Sequence, residues 1–266
     1  MKDSKLYEIF LPYPDMPDRR VRVFVPAHEE GELLPVIYMT DGQNLFDEES
    51  AAWGCWHTME AVENERVNGL GAAVIVGIDH GGKNRDNELT PAGIGEVVNV
   101  ADMDNFTAPE GEVFDRFVTG VVMPYIEENF PVKKGRKFTA FCGSSSGGLQ
   151  SIFTGLEHRD RFSMLGVFSP AMLLYREEDI RGWLLKNLSG ELPYIYLYTG
   201  NGDELEGRIF VSTELTYDIL TELGYPYDRL NEVVMLEYRH NEQAWEEIFR
   251  DFLHTFIYRC SQNKNA

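Results

Sequence analysis

Five short apolar runs recur along the chain: Pro35 to Thr40 (PVIYMT), Ala72 to Ile78 (AAVIVGI), Phe138 to Cys142, Met164 to Phe168 and Tyr194 to Tyr198, with helix-patterned segments between them. Runs this short and this continuously apolar read as strands buried on both faces, the pattern of a parallel sheet covered by helices. Parallel neighbours need a crossover rather than a tight turn, so the pattern commits the chain to an α/β architecture. Lys5 to Leu11 and Arg19 to Val25 instead alternate in the manner of half-exposed strands, with Pro12, Pro14 and Pro17 between them. They read as an antiparallel entry hairpin. Val211, Leu215, Ile219 and Leu223 recur every four residues before Gly224, which predicts a helix and its stop. Trp245, Ile248, Phe249, Phe252, Phe256 and Ile257 form the core-facing stripe of a terminal helix. No repeat, linker or low-complexity tract interrupts the series. The expectation is one domain, residues 1–266, with a mostly parallel central sheet, an antiparallel N-terminal hairpin and helices on both faces.

Composition narrows the function classes. A formal charge of −20 over 266 residues leaves no basic surface for nucleic acid or anionic membrane. No apolar run approaches the roughly 18 residues needed to span a bilayer. The amino end reads directly into a strand without an apolar signal core, so a cytoplasmic location is the expectation. Cys55, Cys142 and Cys260 are odd in number and scattered, matching neither a disulfide framework nor a zinc site. Neither a metal nor an organic cofactor is expected.

Gly143-Ser144-Ser145-Ser146-Gly147 follows the apolar run ending at Cys142 and precedes a helix expected to begin near Gly148. That strand-turn-helix setting is what a nucleophile elbow requires. A serine at so sharp a turn is strained, and glycines two positions to either side let strand and helix pass closely. Ser145 then presents its hydroxyl at the carboxyl edge of the sheet, and the backbone N–H of Ser146 can bind an oxyanion. The alternative is a small-residue turn with no chemistry.

A serine hydroxyl is a poor nucleophile until a base takes its proton, and an acid must fix the tautomer of that base. Strand exits are where such groups collect in an α/β sheet. Thr199-Gly200-Asn201-Gly202-Asp203-Glu204-Leu205-Glu206 follows the run Tyr194 to Tyr198, and Arg239-His240-Asn241 follows an expected last strand from Val233 to Tyr238. Both come after the serine in the order acid, then histidine. His240 is favoured as base over His28, His57, His80, His158 and His254. Asp203 is favoured as acid with Glu204 in reserve, while Glu204 and Glu206 read as solvated loop charges. The loop after PVIYMT, Asp41-Gly42-Gln43-Asn44-Leu45-Phe46-Asp47, offers a second oxyanion donor in the N–H of Gln43, with Gly42 allowing the backbone to turn.

These segments, together with Arg85, Glu88-Leu89-Thr90-Pro91 and His240-Asn241-Glu242-Gln243-Ala244-Trp245, resemble the Putative esterase family of α/β-hydrolases. That family includes siderophore (enterochelin-type), feruloyl and acetyl-xylan esterases and S-formylglutathione hydrolases. The resemblance runs from about Val21 to Phe256. It implies Ser145 as nucleophile, Asp203 as acid and His240 as base, with Ser146 standing where the family often has methionine.

Substrate preference is sought in His80 to Asn87 and Ala101 to Thr107, polar segments too long for plain connections. Trp53, Trp56, Phe46 and Phe106 could stack on a sugar or aromatic acyl group, or only pack their loops. Lys83 and Arg85 are the main basic residues available. A neutral acylated sugar or small ester is therefore expected as substrate. A siderophore or thioester hydrolase, or a silent ligand-binding protein of this fold, is the alternative.

Overall fold

A computed structural model describes residues 1–100, 103 and 105–262, and every structural count concerns those residues. The entry hairpin forms as expected: β1 (Lys5–Leu11) and β2 (Arg19–Val25) pair antiparallel, Lys5 opposite Val25 and Leu11 opposite Arg19. β1 is mostly exposed and carries Lys5 and Glu8, charges of the kind that protect an edge strand from pairing further. β3 (Val36–Met39) and β4 (Val74–Ile78) are wholly buried and pair in parallel, and β2 runs antiparallel to β4. β5 (Thr139–Ser144), β6 (Met164–Phe168), β7 (Tyr194–Gly200) and β8 (Leu230–Met235) complete the set, with β6, β7 and β8 parallel. The strand order is β1-β2-β4-β3-β5-β6-β7-β8, a mostly parallel sheet with an antiparallel N-terminal hairpin.

The intervening helices are α1 (Thr58–Val67), α2 (Arg85–Glu88), α3 (Gly111–Phe117), α4 (Met123–Asn129), α5 (Ser146–Glu157), α6 (Glu177–Asn187), α7 (Glu204–Glu222) and α8 (Glu242–Ser261). A π-helical turn, Val118–Val122, joins α3 to α4. The chain divides into two compact units. One takes residues 1–80, 117–141 and the stretch from Asn241 onward; the other takes 81–116 and 142–240.

In the first unit, all six residues of the expected terminal-helix stripe are buried. Trp56 packs its ring 6.2 Å from Trp245 and 6.0 Å from Phe249, so this tryptophan belongs to the core. The same unit holds a buried ionic cluster. Arg22, with 2% of its side chain exposed, places Nε 3.2 Å from Asp79 Oδ1 and donates to Ser50 Oγ at 2.7 Å, while Arg20 donates to Asp79 Oδ2 at 2.7 Å. Charges removed from water persist only when paired.

The second unit departs from the sequence reading in two places. The last strand lies at Leu230–Met235, three residues earlier than expected, because its pairing with β7 ends at Gly200 opposite Met235. The chain then turns through Glu237 at φ 72°, whose N–H goes to Asn201 Oδ1 at 3.0 Å. His240 therefore sits on a loop rather than at a strand exit. The inner face of α7 is also not the Val211–Leu223 stripe: Val211 is 67% exposed, and the buried residues are Glu206, Ile209, Ser212, Thr213, Thr216, Ile219 and Leu220. Ser212 and Thr213 donate to Ile209 O at 2.9 Å, and Thr216 donates to Ser212 O at 2.8 Å, so these hydroxyls enter the interior already satisfied.

Arg22→Ala removes the more buried of the two guanidiniums on Asp79 and leaves Arg20 on Oδ2; it is expected to lower the unfolding free energy by about 1.5–3 kcal/mol. Arg20→Ala, removing a side chain 36% exposed, is expected to cost about 1 kcal/mol or less. Urea unfolding of the two variants compares them directly.

Candidate active site

Ser145 joins β5 to α5 with φ 58° and ψ −125°, a backbone conformation that L-residues rarely adopt. The strain, of order 1–3 kcal/mol, is held by its surroundings. Its N–H donates to Phe168 O at 2.9 Å, and its carbonyl accepts from Leu149 N–H at 3.0 Å and Ala171 N–H at 3.1 Å. The close approach of helix to strand falls at Gly148, where an added Cβ would lie 2.5 Å from Phe168 O. Ser146 is the first residue of α5, and first-turn N–H groups have no partner within their own helix.

His240 meets the serine: its Nε2 lies 3.0 Å from Ser145 Oγ. The residue at its other ring nitrogen is Glu206, with Nδ1 to Oε2 at 2.6 Å. Asp203 does not occupy that position, which corrects the sequence assignment. Asp203 is instead the N-cap of α7: Oδ1 accepts from Glu206 N–H at 2.9 Å and Oδ2 accepts from the backbone N–H of His240 at 2.8 Å. Burial pushes its carboxyl up, yet those two N–H groups hold it below the usual carboxylate range. Glu204 is exposed in the first turn of α7.

Glu206 is fully buried rather than solvated. Its Oε1 accepts from Ser169 Oγ at 2.7 Å and Gly200 N–H at 2.7 Å and lies 3.2 Å from Thr199 Oγ1. Every one of these partners is a donor, the surroundings of an acceptor-only carboxylate. That assigns a proton to His240 Nδ1 and leaves Nε2 to accept from the serine hydroxyl. Sequence reasoning missed Glu206 because it read the carboxylates after Asp203 as solvated loop charges. The available signal was Asp203-x-x-Glu206, an N-cap followed three residues later by glutamate. Ser169, at φ 42° and fully buried, was equally unforeseen.

The other expected residues take varied places. In the first unit Gln43 lies in the short turn Gly42–Asn44, its Oε1 accepting from His80 N–H at 3.3 Å. Gly42 is there for packing: an added Cβ would lie 2.6 Å from the carbonyl carbon of Gly77. Phe46 is 1% exposed, a core ring rather than a stacking platform. Trp53 is 67% exposed and borders a recess of about 390 Å³ with Glu48, His57, Asn241, Gln243 and Glu246. In the second unit Arg85 opens α2, with Nη1 3.5 Å from Asp86, and Phe106 is half-buried. Of the expected segment Ala101 to Thr107, Ala101, Asp102 and Asp104 lie outside the described residues. Elsewhere His158 pairs with Asp115 at 2.8 Å and His254 with Glu65 at 3.1 Å. Among the described residues no group of three or more His, Cys, Asp or Glu side chains is arranged to hold a metal.

The model of the family described as Putative esterase matches residues 16–223. The chain belongs to that family. It is a carboxylic ester hydrolase with an α/β-hydrolase fold. An uncharacterized Bacillus subtilis (strain 168) protein, YbbA, is 23% identical over 222 residues, 80% of this chain and 82% of that protein. The structure is similar to the siderophore hydrolase EstA from Aspergillus nidulans, with TM-score 0.71 and 18% identity over 96% of this chain and 95% of that one. A ferulic acid esterase from Anaeromyces mucronatus has TM-score 0.68 and 20% identity over 96% of this chain and 91% of that one.

Gly202 carries the histidine loop at close quarters: an added Cβ would lie 2.1 Å from Glu237 O. Gly202→Ala must move that backbone, and a misplacement near 1 Å costs on the order of 10²-fold in rate. We expect kcat on a small ester to fall by about that factor, with a lower Tm, measured side by side.

Proposed function

We propose that this esterase hydrolyses its substrate through an acyl-enzyme on Ser145, with His240 as proton carrier and Glu206 as the acid of the triad. The observation that carries this reading is the unbroken series Ser145 Oγ, His240 Nε2, His240 Nδ1 and Glu206 Oε2, with separations of 3.0 Å and 2.6 Å at its two hydrogen bonds. His240 Nε2 takes the hydroxyl proton as Oγ attacks the ester carbonyl, and the backbone N–H of Ser146 supports the developing oxyanion. The imidazolium then gives its proton to the leaving alkoxide, releasing the alcohol. Water, deprotonated by the same nitrogen, attacks the acyl-enzyme and frees the carboxylic acid and Ser145. Glu206 holds the ring in the productive tautomer throughout.

The substrate we favour is a neutral acylated sugar or small ester. The −20 charge opposes the approach of anions. The Anaeromyces mucronatus relative binds ferulic acid and the Aspergillus nidulans relatives are siderophore hydrolases, so an ester of an aromatic acid and a siderophore are both candidates. The free thiols Cys55, Cys142 and Cys260 fit a reducing, cytoplasmic compartment. No helix among the described residues is long and apolar enough to cross a membrane.

Ser145→Ala and His240→Ala are expected to lower kcat by about 10⁴-fold or more, and Glu206→Gln by about 10³-fold or more, because an amide favours the wrong imidazole tautomer. A fluorophosphonate probe should label the wild type at Ser145 and leave Ser145→Ala unlabelled. Wild-type turnover by Ser145→Ala would overturn the mechanism, and an unreactive wild type would favour a silent ligand-binding protein.

For substrate charge, a matched pair of esters, one neutral and one bearing a free carboxylate, is expected to give a higher kcat/KM for the neutral member. The gap should narrow as ionic strength rises, since the screening length is about 10 Å at 0.1 M. Preference for the carboxylated ester at low salt would instead assign Lys83 or Arg85 to an anion site and favour the siderophore reading.

A further inference from the structure

We propose that Asp203, displaced from the role of triad acid, is a positioning residue that clasps the backbones of the two residues forming the Glu206–His240 pair. The proposal rests on the serine-esterase reading and deepens it. Asp203 Oδ1 accepts from the N–H of Glu206 at 2.9 Å and Oδ2 from the N–H of His240 at 2.8 Å. One carboxylate therefore joins the first turn of α7 to a loop 37 residues further along the chain. The side chains of the same two residues meet at 2.6 Å, so the acid and the base are tied at both backbone and ring.

The tie matters because it acts on the backbone of the residue whose ring reaches the serine. His240 lies five residues beyond the end of β8, and Leu236, Glu237 and Arg239 are exposed. Between β8 and α8 the loop docks on the Gly200–Asp203 turn through Gly202 N–H to Tyr238 O at 2.7 Å and Glu237 N–H to Asn201 Oδ1 at 3.0 Å. Both bonds hold residues before His240. The Asp203 bond is made to His240's own backbone, at the point from which the imidazole reaches Ser145.

An N-cap is common, and capping by itself would make Asp203 a structural residue. Its second oxygen separates the two roles. Serine and asparagine also cap helices well, and each offers the Glu206 N–H an acceptor. Neither can accept two N–H groups on opposite carboxylate oxygens as aspartate does, because serine has one oxygen and the second terminal atom of asparagine is a donor.

The experiment compares Asp203→Ser and Asp203→Asn with wild type for kcat, KM, Tm and the rate of fluorophosphonate labelling, using a p-nitrophenyl acyl ester. If Asp203 positions His240, both variants keep Tm within a few degrees and KM within about twofold, while kcat and labelling fall together by roughly 10- to 100-fold, the scale of a misplaced catalytic group. Either variant turning over at the wild-type rate would reduce Asp203 to a helix cap and overturn the proposal. A readout without any substitution accompanies these: in the wild-type protein the His240 amide should exchange with solvent at least about tenfold more slowly than the Arg239 amide. Equal exchange would also overturn the proposal, even if both variants failed to fold. A wild-type protein that neither labels nor turns over ester would bring down the esterase mechanism itself, and the positioning role with it, whereas normal labelling with wild-type-like variants would remove the Asp203 role alone.

Discussion

The second unit is arranged around one buried carboxylate. Glu206 has no access to water, so its hydration must be replaced by donors fixed in the protein. These come from three separated stretches: Ser169 after β6, Thr199 and Gly200 at the end of β7, and His240 beyond β8. Satisfying that one group fixes where the ends of three parallel strands must lie relative to each other. The same turn after β6 steadies the serine, since Phe168 O and Ala171 N–H bracket the strained Ser145 backbone. The donors that settle the glutamate and the bonds that hold the serine are thus built into one local scaffold, and the spacing of Ser145, His240 and Glu206 follows from polar satisfaction in the interior.

Much of this was legible in the residues. The apolar runs marked their strands to within a few positions, the entry hairpin fell where alternation placed it, and the strand-turn-helix around Ser145 is present at that position. What escaped was information carried by polar groups in buried places. Periodicity that counts only apolar side chains turned α7 to the wrong face, because Ser212, Thr213 and Thr216 hide their hydroxyls in the helix's own carbonyls. With those three counted as interior residues, the inward row runs Glu206, Ile209, Thr213, Thr216, Leu220, and the glutamate stands at its head. Phe46 erred in the opposite sense: an aromatic residue in a functional-looking loop was available for core packing and is used there.

The first unit solves its own polar problem differently. Arg22 and Arg20 converge on Asp79 at the end of β4, an ion cluster formed where the antiparallel hairpin strand meets the parallel part of the sheet. Here the charged groups fix strand register, since Arg20 and Arg22 project from alternate positions of β2 onto one acceptor. A slip of one residue would send both to the opposite face.

The small hydroxyl-bearing face of α7 has a reach beyond packing. Helix α7 lies against β7, and Ser212, Thr213 and Thr216 present only short side chains on its buried side. Helix-to-sheet spacing is therefore a dimension of the Glu206 cluster: the glutamate rides on the rod, and any bulk inserted beneath its middle would lift the near end away from Ser169 and Gly200. Drift that enlarged these residues would shift Glu206 against His240 through a lever of roughly two to three helical turns, leaving the residues of that cluster unchanged.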